Sequence, residues 1–116
     1  MAWARHRGFL SDKVAAESTV RAYTTPPGRA GSRTRGRAWL KQKLWSRGVP
    51  KELAEEAVAE RSDEDELVLA QAVAIAMLNQ LSGLPKDVQK RRLYARLLRR
   101  GFAPSVVAQV CSSVLT

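Results

Sequence analysis

Arg92, Arg96, Arg99 and Arg100 fall on one side of a helical wheel, while Leu93, Tyr94, Leu97 and Leu98 occupy the other. Guanidiniums on one face supply permanent charge and forked donors, a chemistry suited to holding phosphate or carboxylate. An earlier segment carries Lys43 and Arg47 where this one carries Arg96 and Arg100, so the same basic face is expected twice at a fixed offset. A regularly spaced pair of positive faces could meet phosphates, each neutralised contact adding salt-dependent affinity. An ordinary solvated face has the same pattern. Binding is favoured because the acids lie elsewhere in the chain and are not interspersed.

Arg35 and Arg37, with Arg29 and Arg33, sit in or beside a segment rich in Pro and Gly. They could order on a polyanion, or equally keep a linker soluble. Trp3, Trp39 and Trp45 could stack on exposed bases, as aromatic faces between cations do in single-strand binders. Trp45 aligns with Leu98, which favours core packing. Trp39 aligns with Arg92 on the basic face, and is the better stacking residue or partner anchor.

Groups able to do covalent or acid-base work are few. His6 is the single histidine and has no carboxylate or nucleophile at useful spacing. Cys111 lies among Val107, Val110 and Val114 and reads as a buried, inert thiol. No phosphate-binding glycine loop, paired-carboxylate spacing or nucleophile motif occurs, so no enzyme activity and no cofactor are expected. The acidic run from Glu60 to Glu66 is mostly explained by helix-start chemistry, although it could repel DNA or meet a basic partner. Its spacing is not that of a calcium loop.

The elements that must position these side chains follow from length and patterning. With 116 residues, 45% of them hydrophobic, the chain can build one ordinary domain or two or three small helical modules. Net charge is +9. Residues 1–49 carry eleven basic and two acidic side chains, residues 50–69 two and eight, and residues 70–116 seven and one. Two basic blocks thus flank an acidic hinge, and the default partner is a polyanion or an acidic protein surface. One cysteine excludes an intramolecular disulfide and fits a reducing, cytoplasmic compartment. The apolar stretch of residues 67–78 is too short to span a bilayer. The Arg-rich start lacks a secretory apolar core, and organelle targeting is the minor alternative.

Ser11-Asp12 is a plausible cap for a weak helix over residues 13–23 with Val14 and Val20 inward. It must stop before Pro26-Pro27-Gly28, where a basic loop over residues 26–36 begins. Leu40 and Leu44 mark a second helix ending at Gly48, and Pro50 opens a third. Ser62 followed by Asp63, Glu64 and Asp65 starts a long fourth helix that ends at Ser82-Gly83. Pro85 opens a fifth helix through Arg100, and Pro104 a last one.

A shift of 53 residues superposes Leu40, Leu44, Arg47, Gly48 and Val49 on Leu93, Leu97, Arg100, Gly101 and Phe102. Leu53, Ala54 and Ala57 then fall on Val106, Val107 and Val110. The expected fold is all-α: tandem three-helix modules over residues 10–61 and 62–116, with residues 1–9 a remnant of a preceding module or disordered. Units of this size are expected to bury their faces by stacking into an elongated or curved array.

The segments Gly8-Phe9-Leu10-Ser11-Asp12, Ala16-Glu17-Ser18-Thr19-Val20 and Leu40-Lys41-Gln42-Lys43-Leu44-Trp45-Ser46-Arg47-Gly48-Val49 resemble RecX, a family of small bacterial regulators of the RecA recombinase. The most specific segment is Arg91-Arg92-Leu93-Tyr94-Ala95-Arg96-Leu97-Leu98-Arg99-Arg100-Gly101-Phe102. The resemblance covers nearly the whole chain. It implies three tandem three-helix modules without catalytic residues, lying along the groove of the RecA–DNA filament; a monomer is expected. It also implies restraint of ATPase, strand exchange and SOS induction, with single- or double-stranded DNA as co-partner. A nucleic-acid-binding helical module without a recombinase partner is the alternative. Two features depart from the family pattern. A typical member has a further module ahead of the first quoted segment, and Ala15 and Thr19 stand where large aromatic side chains are usual. Residues 1 to about 30 are therefore expected to be loosely packed or disordered, with little core bulk in the first helix.

Overall fold

A computed structural model describes residues 2–24 and 34–115, with side chains from Asp12 onward. Among the described residues there are six helices and no strand: α1 (Ala2–Ala22), α2 (Arg37–Ser46), α3 (Lys51–Ala59), α4 (Asp63–Gln80), α5 (Lys86–Arg99) and α6 (Pro104–Val114). The helices form two triplets. α1 packs on α2 and α3, which also pack on each other, and α4, α5 and α6 repeat the arrangement. The long axis measures 61 Å against 25 and 22 Å, an elongated form compatible with a helical array.

Each triplet closes on a core of its own. Leu40 and Leu44 of α2, Leu53, Ala54, Ala57 and Val58 of α3, and Ala16 and Val20 of α1 form the first. Leu69, Val73 and Met77 of α4, Leu93 and Leu97 of α5, and Val106, Val107, Val110 and Cys111 of α6 form the second. The 53-residue offset reaches into the first helices, because Ala16 and Val20 precede Leu69 and Val73 by that distance. The expectation that the modules bury their apolar faces by stacking on each other is therefore corrected. Three helices of 9 to 21 residues suffice to close each core, and polar contacts make the seam between them.

Local signals account for most boundaries. Ser62 and Asp65 form a reciprocal cap: each backbone N–H donates to the other's side-chain oxygen at 3.1 Å. Gly48 and Gly101 end α2 and α5 with φ of 88° and 92°, a region that side chains resist. Val49 and Phe102 then fold back into the two cores.

The start of α1 differs from expectation. Ser11 and Asp12 lie inside a helix that begins at Ala2, since a capping residue does not stop a helix where no breaker accompanies it. Ala16, Thr19 and Val20 are buried, so residues 12–24 take part in the first core. Val14 points to solvent at 66% exposure, because the inward face of α1 passes through Ala16 and Val20. Residues 25–33, with Arg29, Arg33 and most of the expected basic loop, lie outside the described residues, as do the side chains of Trp3 and His6.

Candidate nucleic-acid interface

The seam is built on the backbone of residues 34–38. The Arg35 N–H donates to the Tyr23 carbonyl at 3.2 Å, and the Gly36 N–H to the Arg100 carbonyl at 2.7 Å. The Ala38 N–H donates to the Gly101 carbonyl at 3.2 Å, so the start of α2 is hydrogen-bonded to the end of α5 across the two modules. A guanidinium nitrogen of Arg100 reaches back to the Thr34 carbonyl at 2.9 Å. The approach is close enough that a Cβ on Gly36 would lie 2.3 Å from the Gly101 carbonyl carbon, and one on Gly101 2.4 Å from Trp39 Cβ.

One side of this seam is a charge-paired clasp. Arg61 is buried, its side chain only 2% exposed, and donates to Glu66 at 3.0 Å, to Thr24 Oγ1 at 2.8 Å and to the Tyr23 carbonyl at 3.1 Å. It also bonds the Arg35 carbonyl. Glu66, equally buried, accepts the Arg37 N–H at 2.6 Å. The Arg37 guanidinium pairs with Asp63 and lies 3.3 Å from Glu66. Partners of this kind make a buried charge tolerable, here through the two terminal guanidinium nitrogens of Arg61, while its Nε is buried without a hydrogen-bond partner.

The other side is a cleft of about 440 Å³ lined by Arg35, Trp39, Met77, Gln80, Arg96, Arg99 and Arg100. It holds four arginines and, among the described residues, no carboxylate. Arg35 lies over the Trp39 ring with Cζ 5.1 Å from its centroid, and Lys43 Nζ lies at 5.5 Å. Tyr23 meets the same ring edge-on at 4.9 Å. The electron-rich ring thus holds two cations at the mouth of the cleft. Burial, and secondarily the adjacent Arg35 cation, push the Arg100 guanidinium below its ordinary pKa. Crowding of like charge favours an anion in this position.

The structure therefore divides the residues singled out in the sequence. Arg35, Trp39, Arg96, Arg99 and Arg100 converge on one cleft, and Lys43 joins them through the Trp39 ring. The two positive faces expected as separate surfaces meet there in part. Arg92 is exposed on α5 outside the lining, and Arg47 caps α2 with a 3.4 Å contact to Thr19 Oγ1. Arg37 belongs to the clasp, where carboxylates already neutralise it.

Trp39 differs from an open stacking platform, because two cations and Tyr23 gather around its ring. Trp45, expected in the core, is 38% exposed, and its repeat partner Leu98 is 37% exposed. Cys111 is buried, and burial raises its thiol pKa. Gly36, Arg61, Glu66 and Gln80 also form the site, although no spacing or motif in the sequence singles them out. The one signal for Arg61 was a single base inside the acidic run.

Among the described residues, no helix is long and apolar enough to cross a membrane, and no three His, Cys, Asp or Glu side chains gather as metal ligands. Comparison of the chain with protein-family models, curated proteins and solved structures gave no match.

Proposed function

We propose that this chain is a noncatalytic regulator of a RecA-type recombinase filament, acting as a monomer in the cytoplasm and engaging DNA phosphates through the seam cleft. The observation that carries the reading is the convergence of Arg35, Arg96, Arg99 and Arg100 around Trp39 in a cleft without acids among the described residues. The RecX-like segment of residues 91–102 supplies three of those arginines, so the resemblance and the geometry favour the same region. An elongated protein held on phosphates in a filament groove would span neighbouring protomers. It would thereby oppose the rearrangements that growth and ATP turnover need.

The test is the ATPase of purified RecA on single-stranded DNA, with and without this protein. Slowed turnover is expected as the protein is titrated in. An unchanged rate at saturating protein rejects the regulatory reading.

A second reading, a nucleic-acid-binding module without a recombinase partner, is favoured by the cleft chemistry alone, which answers to phosphate from any source. It predicts that naked DNA competes the protein away from the filament. The regulator reading predicts that the filament outcompetes free DNA at equal nucleotide concentration and salt.

A further inference from the structure

The cleft has one wall on each module, so its width is a property of the seam. We propose that Gly36 is a positioning residue: its missing side chain lets the two modules approach until Arg35 and Trp39 face Arg96, Arg99 and Arg100 across one polyanion-binding cleft. The proposal rests on the nucleic-acid reading above and deepens it, by making two modules with separate cores into a single two-walled site.

Gly36 has φ of −79°, an ordinary value for any L residue, so its backbone conformation does not require glycine. Space does. An added Cβ would lie 2.3 Å from both the carbonyl carbon and oxygen of Gly101 and 2.4 Å from the Phe102 nitrogen, all of them backbone atoms. Side-chain rotation cannot relieve that overlap. The Gly36 N–H bond to the Arg100 carbonyl, at 2.7 Å, draws the chains together at the same point. Arg61 and Glu66 hold this extended segment from behind through the Arg35 carbonyl and the Arg37 N–H. The Arg35 backbone is therefore held through its own N–H and carbonyl, and Arg100, which bonds Thr34, is fixed against the same extended segment.

Gly36→Ala wedges the seam while altering no charged side chain and no core side chain. Binding of a short single-stranded DNA oligonucleotide would be followed across a salt series, with circular dichroism to establish that the helices persist. The expected result is about a tenfold weaker affinity and a log–log salt slope shallower by about 1.4, the value for two single-strand phosphates that the protein no longer neutralises. Arg35→Ala should weaken binding in the wild-type background and make little difference in Gly36→Ala, a non-additivity that a merely structural role does not produce.

Glu66→Gln provides a second variant of nearly the same shape. By net charge alone it should tighten binding to a polyanion, whereas loosening of residues 34–36 should weaken it, so the two accounts predict opposite signs. Wild-type binding with an unchanged affinity and slope in Gly36→Ala overturns the positioning role alone. So does an Arg35→Ala effect of equal size in both backgrounds, or tighter binding by Glu66→Gln. Failure of the wild-type protein to bind at low salt overturns the nucleic-acid reading, and the positioning role with it.

Discussion

The two sides of the seam use the same residue type to opposite ends. On the clasp side, Arg61 and Arg37 are consumed by Glu66, Asp63 and backbone carbonyls. On the cleft side, Arg96 and Arg99 line a recess in which, among the described residues, no salt bridge engages them. Arg35 and Arg37, two residues apart, fall on different sides. Charge counted along the sequence overstates what is available to a ligand, because an arginine matched by a buried carboxylate serves the fold and offers a polyanion little.

That contrast is broken most severely by removing the clasp. Arg61→Ala removes the buried partner of Glu66, leaving that carboxylate to Arg37 alone and the Tyr23 and Arg35 carbonyls without this donor, and should cost about 3–5 kcal/mol in chemical denaturation. A change below about 1 kcal/mol would mean that the clasp is not what joins the modules.

The matched glycines sharpen the comparison at intermediate size. Gly48→Ala should cost about 1–2 kcal/mol, the penalty for a side chain at positive φ, since open space surrounds the missing Cβ. Gly101→Ala adds a clash with Trp39 at the seam and should cost about 2–4 kcal/mol. Equal losses in thermal unfolding would contradict the close approach of the modules.

The smallest effect concerns Cys111, remote from either side. Its folded pKa is raised by burial, so the protonated thiol is the form the fold favours. The stability it contributes is full below the unfolded thiol's pKa and is lost as pH rises through the folded value. Native protein should accordingly react with an alkylating reagent far more slowly than denatured protein, and equal rates would show the second core to be open.

Most of the helices were legible because their signals are local. Leu40 and Leu44, Gly48, the Ser62 cap and Leu93 through Phe102 each declare spacing or termination within a few residues. The start of α1 was not, since Ser11 and Asp12 cap a helix only where the chain actually ends one. Val14 and Trp45 were misplaced for a related reason: an apolar side chain on a short amphipathic segment does not reveal which flank of the face meets the core. The arginines of α5 were legible as a face, but their meeting with Arg35 and Trp39 was not. That meeting depends on contacts between residues some 65 positions apart, the Gly36 N–H on the Arg100 carbonyl and the Arg100 guanidinium on the Thr34 carbonyl. Glycine carries no pattern that announces such an approach.

The most direct test of the cleft is the salt dependence of single-stranded DNA binding by Arg96→Ala, Arg99→Ala and Arg37→Ala beside the wild-type protein. The cleft predicts that Arg96→Ala and Arg99→Ala each weaken binding and reduce the slope by about 0.7, with stability almost unchanged. It also predicts that Arg37→Ala keeps the slope while lowering the denaturation midpoint. Equal loss of slope in all three variants would contradict it, because the charges would then act by number and not by place.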